Sequence, residues 1–334
     1  MENTAGPSGL ADQDYVSTGH LPPDERIADL VAQAHARFKA NTEGTPSTVY
    51  PALERVDPGL FGLCVVGTSG NVYAAGDTEV DFTIMSVSKP FVFALVCQAL
   101  GPKVARAKIG ANATGLPFNS LTAVERSGDG LTNPMVNSGA IATTSLVPGA
   151  TGADKWRLIH EGLSRFAGRD LPLNEEVYAS ACETNFRNRG MARLLQSMGR
   201  IYDDPKQATD LYTRQCALNI NARDLAVMGA TLADGGVNPI TRERVVDPMV
   251  CHYTLAVMAT AGLYETSGDW LYEIGLPGKS GIGGGIVTVS PGKGGLGTFA
   301  PLLDGAGNSV KGQLAAQFLS QKLGLDLFVS QPAP

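Results

Sequence analysis

Apolar residues recur at helical spacing from Asp24 onward. Ile27, Leu30, Val31, Ala34 and Phe38 share one face, which predicts a helix starting near Pro23-Asp24. A polar stretch, Gly44-Thr45-Pro46-Ser47, and then Tyr50-Pro51 interrupt the pattern. From Leu60 the apolar runs shorten. Phe61 to Val66 and Val72 to Ala74 flank Ser69-Gly70-Asn71, a hairpin signal, and a third short run at Phe82-Thr83-Ile84 leads into Ser86. The stretch from Pro90 to Leu100 is apolar all round and stops at Gly101, as a buried helix would. Proline is tolerated only in a helix's first turn, so this helix should begin close to Ser86. Over residues 102–230 helical segments are expected at 155–166, 191–198 and 222–232, joined by connections carrying Gly, Pro and Asn. Strand signals return at 285–290 and 296–300 around the turn Pro291 to Gly295. A closing helix carries Val310, Leu314, Phe318, Leu319 and Leu323. This order predicts an α/β protein of α+β type, with one sheet built from both ends of the chain. The expected division is a flexible leader over 1–22 and a single domain over 23–330. Its sheet lobe spans about 23–100 and 230–330, and its helical lobe about 101–229.

Composition narrows the function classes. Apolar residues make up 43% of the 334 and charged ones 17%, enough for a sizeable core and too apolar for wholesale disorder. The formal charge is −6 with no basic cluster, which argues against a nucleic acid or an anionic membrane as partner. The longest strictly apolar run, Phe91 to Cys97, is far short of the roughly 20 residues a membrane span needs. Five scattered cysteines without a C-x-x-C pair suit a reducing compartment. The first 22 residues lack the basic-then-apolar pattern of a secretion signal, so a cytoplasmic location is expected. No two of the four histidines lie three or four residues apart, and neither a metal nor an organic cofactor is expected.

Several motif-like strings fail on inspection. Gly278-Lys279-Ser280 lacks the first glycine of a nucleotide phosphate loop, because Glu273 stands there. The glycine run from Gly281 to Ile286 lacks the last glycine of a dinucleotide fingerprint. One motif survives: Ser86-Val87-Ser88-Lys89, an S-x-x-K tetrad at the start of the buried helix. Residues three apart share a helix face, so the Lys89 amine can approach the Ser86 hydroxyl. Serine needs a base to become a nucleophile, and lysine can serve if burial lowers its pKa. The helix start also supplies free N–H groups for a developing oxyanion. Lys279-Ser280-Gly281 matches the K-[ST]-G element that some serine acyltransfer enzymes place opposite their S-x-x-K.

With these two elements go further strings: Gly70-Asn-Val-Tyr73, Gly115-Leu-Pro-Phe-Asn-Ser120, Asn133 to Ile141, Arg187-Asn188, Tyr212 to Cys216, and Gly275 to Gly281. In this order, from about residue 25 to 328, the sequence resembles the bacterial serine-dependent glutaminases. The resemblance implies a β-lactamase/transpeptidase-like fold, a central antiparallel sheet flanked by helices plus a helical lobe. It implies hydrolysis of L-glutamine to L-glutamate and ammonia through an acyl-enzyme, with Ser86 as nucleophile and Lys89 as base. The backbone N–H groups of Ser86 and Ile282 would hold the oxyanion, Asn137 and Asn188 would bind substrate, and Tyr212 and Tyr264 would flank the reacting centre. A homodimer or homotetramer is implied too. On the residues alone, Asn137 can equally close a turn beside Gly139, and Tyr264 can cap a core.

The chain departs from the family pattern twice. Val49 stands where the family has a tyrosine. Ala181 stands where it has a glutamate that meets the substrate's α-amino group, with Glu183 two residues on. These departures keep two alternatives open: a related amidase for another small amide, and a weakly catalytic amino-acid-binding homologue. A β-lactamase or D,D-peptidase would call for a secreted chain and an S-D-N or Y-x-N element, and neither is found.

Overall fold

Residues 19–330 are described by the structure, a computed structural model, so the leader expected over 1–22 lies outside the described residues except for its last four. The chain opens with α1 (Asp24–Phe38) and α2 (Pro51–Glu54). A hairpin of β1 (Gly62–Gly67) and β2 (Val72–Gly76) follows, then the short β3 (Phe82–Thr83). A single turn of tighter helix over Met85–Val87 leads into α3 (Ser88–Leu100). Next come α4 (Pro102–Ile109), α5 (Leu121–Arg126), α6 (Asn137–Ser145), α7 (Gly152–Ala167), α8 (Glu175–Thr184), α9 (Phe186–Ser197) and α10 (Pro205–Cys216). After β4 (Asn219–Ile220) run α11 (Ala222–Ala233), α12 (Pro248–Ala261) and α13 (Ser267–Ile274). The chain closes with β5 (Gly278–Ser280), β6 (Gly285–Ser290), β7 (Gly294–Phe299) and α14 (Val310–Lys322).

The main sheet runs β2-β1-β7-β6-β5, antiparallel throughout. Its first and last strands in sequence meet at β1 and β7, where Val65 faces Leu296 and Cys64 faces Gly297. The sheet therefore does combine both ends of the chain. The Phe82 run, however, does not join it: β3 pairs only with β4. Lys279 and Ser280 precede β6 as expected and themselves form the edge strand β5.

Each face of the sheet has its own core. Ile27, Leu30 and Val31 of α1 pack with Leu63, Leu296, Ile286 and Leu319 on one side. On the other lies α11, whose Leu225 and Met228 join Val287, Val289 and Phe299. That contact requires small residues on β7. A Cβ at Gly297 would stand 2.1 Å from the Ala222 carbonyl oxygen, so glycine is what lets α11 lie directly on the strand. Apolar α3, buried from Ser88 to Cys97, forms the hub around which α4, α6 and α7 gather. Among the described residues no helix is long and apolar enough to cross a membrane.

Candidate active site

The S-x-x-K residues straddle the entry to α3. Ser86 lies in the tight turn before the helix, and Lys89 lies in its first turn. Met85 adopts φ +47°, a left-handed conformation that side chains other than glycine rarely take. Tyr264, also beside Ser86, has φ +57°. Strained backbone on both sides of one hydroxyl fits a site whose geometry the surrounding fold enforces.

Edge strand β5 approaches this turn closely. A Cβ at Gly281 would come 3.1 Å from the Ile84 carbonyl oxygen and 3.2 Å from the Ser86 nitrogen. Glycine here brings the backbone of residues 281–282 against the start of the S-x-x-K turn. Ser86 and Ile282 both line one small cavity of about 150 Å³.

Lys89 is 1% exposed and touches that cavity's wall through Asn137. Burial is the main force on its amine and lowers the pKa from 10.5 to about 7. Its nitrogen donates to Asn137 Oδ1 at 2.7 Å and to the Met135 carbonyl at 3.2 Å. Asn137 is the centre of a larger network. Its Oδ1 also accepts from the Tyr212 hydroxyl at 3.1 Å, and its Nδ2 donates to Asn188 Oδ1 at 3.0 Å. Burial pushes the Tyr212 phenol well above its ordinary pKa, and it raises Tyr264 too, so both remain neutral donors.

The sequence-predicted residues divide into two groups. Ser86, Asn137, Asn188, Tyr212 and Ile282 line the cavity itself. Lys89 and Tyr264 do not line it but pack against its wall: the Lys89 nitrogen lies 5.9 Å from the Phe118 ring centroid, and Tyr264 packs on Phe118 at 4.5 Å. The Tyr264 hydroxyl neighbours Ser86 and meets the Ser280 carbonyl at 3.3 Å. A second fully buried lysine, Lys279, donates to the carbonyls of Gly262 and Ser280 and sits 4.3 Å from the Tyr264 ring centroid. Burial and the charge of Lys89 hold its pKa well below normal.

Sequence reasoning gave no individual role to Phe118, Arg187 or Cys216, all of which line the cavity. Cys216 had one legible signal, its i+4 spacing from Tyr212 on α10, which puts both on one helix face. Val49 and Ala181 line the cavity as well. Glu183, the candidate replacement for a carboxylate at 181, is exposed and does not line it.

Comparison with known proteins identifies the family. The family profile described as Glutaminase matches residues 44–328. The chain belongs to the glutaminase family. It is 73% identical over 319 residues to Glutaminase 2 of Yersinia pestis, covering 96% of this chain and 94% of that protein. It is 49% identical to a Brucella canis glutaminase over 307 residues, covering 92% and 97%. Among solved structures, a probable glutaminase named ybaS superimposes with a TM-score of 0.91 at 43% identity, covering 92% of this chain and all of that one. A probable glutaminase from Bacillus subtilis, complexed with 6-diazo-5-oxo-L-norleucine, gives 0.80 at 29% identity, covering 92% and 97%. The expected β-lactamase-like architecture is therefore the glutaminase fold of this chain, an antiparallel sheet with helices on both faces.

Proposed function

We propose that this glutaminase hydrolyses the side-chain amide of glutamine through an acyl-enzyme on Ser86, with Lys89 as the base. The observation that carries the mechanism is a serine at the cavity wall, three residues before a buried lysine whose pKa is near neutrality. With its pKa lowered to about 7, such an amine is unprotonated in a substantial share of molecules at neutral pH. A neutral amine has two N–H groups, and two acceptors are present, Asn137 Oδ1 and the Met135 carbonyl. That match leaves the lone pair for the Ser86 proton.

Ser86 Oγ then bonds to the amide carbon, and the negative charge on the carbonyl oxygen falls to the N–H groups of Ser86 and Ile282. The proton held by Lys89 passes to the amide nitrogen, the C–N bond breaks and ammonia leaves. Water attacks the resulting ester with Lys89 again as base, releasing glutamate and Ser86. Tyr212, Asn137 and Asn188 hold the substrate and fix the amine through their shared network. Tyr264 steers the hydroxyl of Ser86.

A cytoplasmic location is part of the same reading, supported by five unpaired thiols, three of them buried. Association into a homodimer or homotetramer rests on the family resemblance, and sedimentation velocity would test it.

The deciding experiment measures ammonia release from L-glutamine by the purified chain and by Ser86→Ala. Release that the substitution abolishes, together with a mass adduct of 6-diazo-5-oxo-L-norleucine on a peptide containing Ser86, is expected. Adduct formation elsewhere, or full activity of Ser86→Ala, would overturn the assignment of the nucleophile.

A further inference from the structure

Helix α8 carries Glu175, Glu176 and Glu183, and all three are exposed. Glu176 pairs outward with Arg55. The face that α8 turns into the catalytic cavity is Val177, Ala181 and Thr184, spaced by four and three residues. The remaining wall has the same character. Among the described residues lining the cavity none is an aspartate or a glutamate, whereas Arg187 lines it and Lys89 bonds to its lining residue Asn137. Donors for an anion are at hand, since Asn188 spends its Oδ1 on Asn137 and keeps its Nδ2 group to donate. No carboxylate is placed to accept from a cation.

Resting on the acyl-enzyme reading of this same cavity, we propose that the site does not read the α-ammonium group of its substrate. It accepts the monoamides of five-carbon dicarboxylates as a class, whether or not the carbon beside the free carboxylate carries nitrogen. Glutaramate, which is glutamine without its amino group, is then a substrate. Water cleaves its C–N bond to give glutarate and ammonia by the same steps at Ser86. A site built to hydrogen-bond a substrate N–H rejects the analogue lacking it by about 10⁴-fold or more, because its own polar groups are left unpaired. Here no lining carboxylate would be left unpaired, which removes the strongest source of that discrimination.

The test compares kcat/KM for glutaramate and L-glutamine on one preparation of the full chain, with Ser86→Ala as background. A ratio within about tenfold of one, or in favour of glutaramate, is expected. Hydrolysis of glutamine with glutaramate poorer by about a hundredfold or more overturns the proposal while leaving the glutaminase reading intact. Hydrolysis of neither overturns the glutaminase reading first, and this proposal with it. Ala181→Glu supplies a second measurement, in which the ratio cancels any loss of folded protein. It should shift preference toward glutamine by about tenfold or more, mainly through KM, as a charge-assisted hydrogen bond forms. An unchanged ratio would remove α8 from the substrate's amino end.

Discussion

Lys89 holds two opposed demands in one side chain. A base must lose its proton near neutrality, and burial achieves this by making the charged amine unstable. As pH rises through about 7, Lys89 becomes neutral, so kcat/KM for glutamine should climb through that region and then level. A pH–rate profile with no inflection between about 6 and 8 would count against Lys89 as the base. The same shift has a consequence for stability, whose sign is fixed. Between about 7 and 10.5 the unfolded chain binds a proton at this position that the folded chain does not, so this group makes stability rise with pH across that window. Below about 7 the penalty of a buried charge is present in full. Lys89→Met should therefore abolish turnover while raising the melting temperature, and by more at pH 6 than at pH 9. A larger gain at pH 9 would contradict a lowered amine pKa. The burial of Lys89 was legible from its place at the start of an all-apolar helix, and the three-residue spacing from Ser86 is what motivates the proposed dyad. The partners of Lys89 were not. Asn137 and Met135 lie 48 and 46 residues away, and only the fold brings their acceptors to the amine.

At the scale of elements, the strand that completes the site is the one with the least pattern. β5 spans three residues, Gly278–Ser280, all buried, so it shows no alternation of apolar and polar positions. Helix α6 hides for a related reason: Asn137–Ser145 is buried at every position and built mostly from small and hydroxyl residues, which leaves no amphipathic stripe. The hairpin of β1 and β2 and helices α1, α7 and α11 were legible because each has a turn signal, an amphipathic face or a capping residue. β5 matters most for catalysis through its close approach at Gly281. In Gly281→Ala the new methyl would lie 3.1 Å from the Ile84 oxygen and 3.2 Å from the Ser86 nitrogen, so β5 must retreat by a few tenths of an ångström. The Ile282 N–H, proposed to hold the oxyanion, would move with it. Steady-state kinetics should show kcat reduced by about 10- to 100-fold with KM little changed, as for loss of an interaction made only in the transition state. A raised KM at constant kcat would instead mean that the segment serves ground-state binding.

Across the whole molecule, one arginine ties together parts that the sheet does not. Arg169 follows α7, and its guanidinium grips both oxygens of Asp224 at 2.6–2.9 Å and reaches Asp81 at 3.4 Å. Asp224 belongs to the capping box of α11, the helix that covers the sheet, and Asp81 stands just before β3, which leads to Ser86. Three segments distant in sequence thus meet on one side chain. The Asp224 carboxylate is 7% exposed, so it cannot turn to water if its partner is removed. Arg169→Met should lower the free energy of unfolding by about 2 kcal/mol, the scale of hydrogen bonds to a poorly hydrated charge. The remaining N–H donor of Asn221 keeps Asp224 partly satisfied and limits the loss. Asp81 lies only five positions before Ser86, but Arg169 makes none of the hydrogen bonds recorded for Lys89 and Asn137. Urea unfolding should therefore show an earlier midpoint at unchanged slope, while kcat/KM of the folded enzyme at 25 °C changes less than about twofold. A large fall in kcat at full stability would show instead that the clamp sets the position of β3, and through it the attack geometry of Ser86.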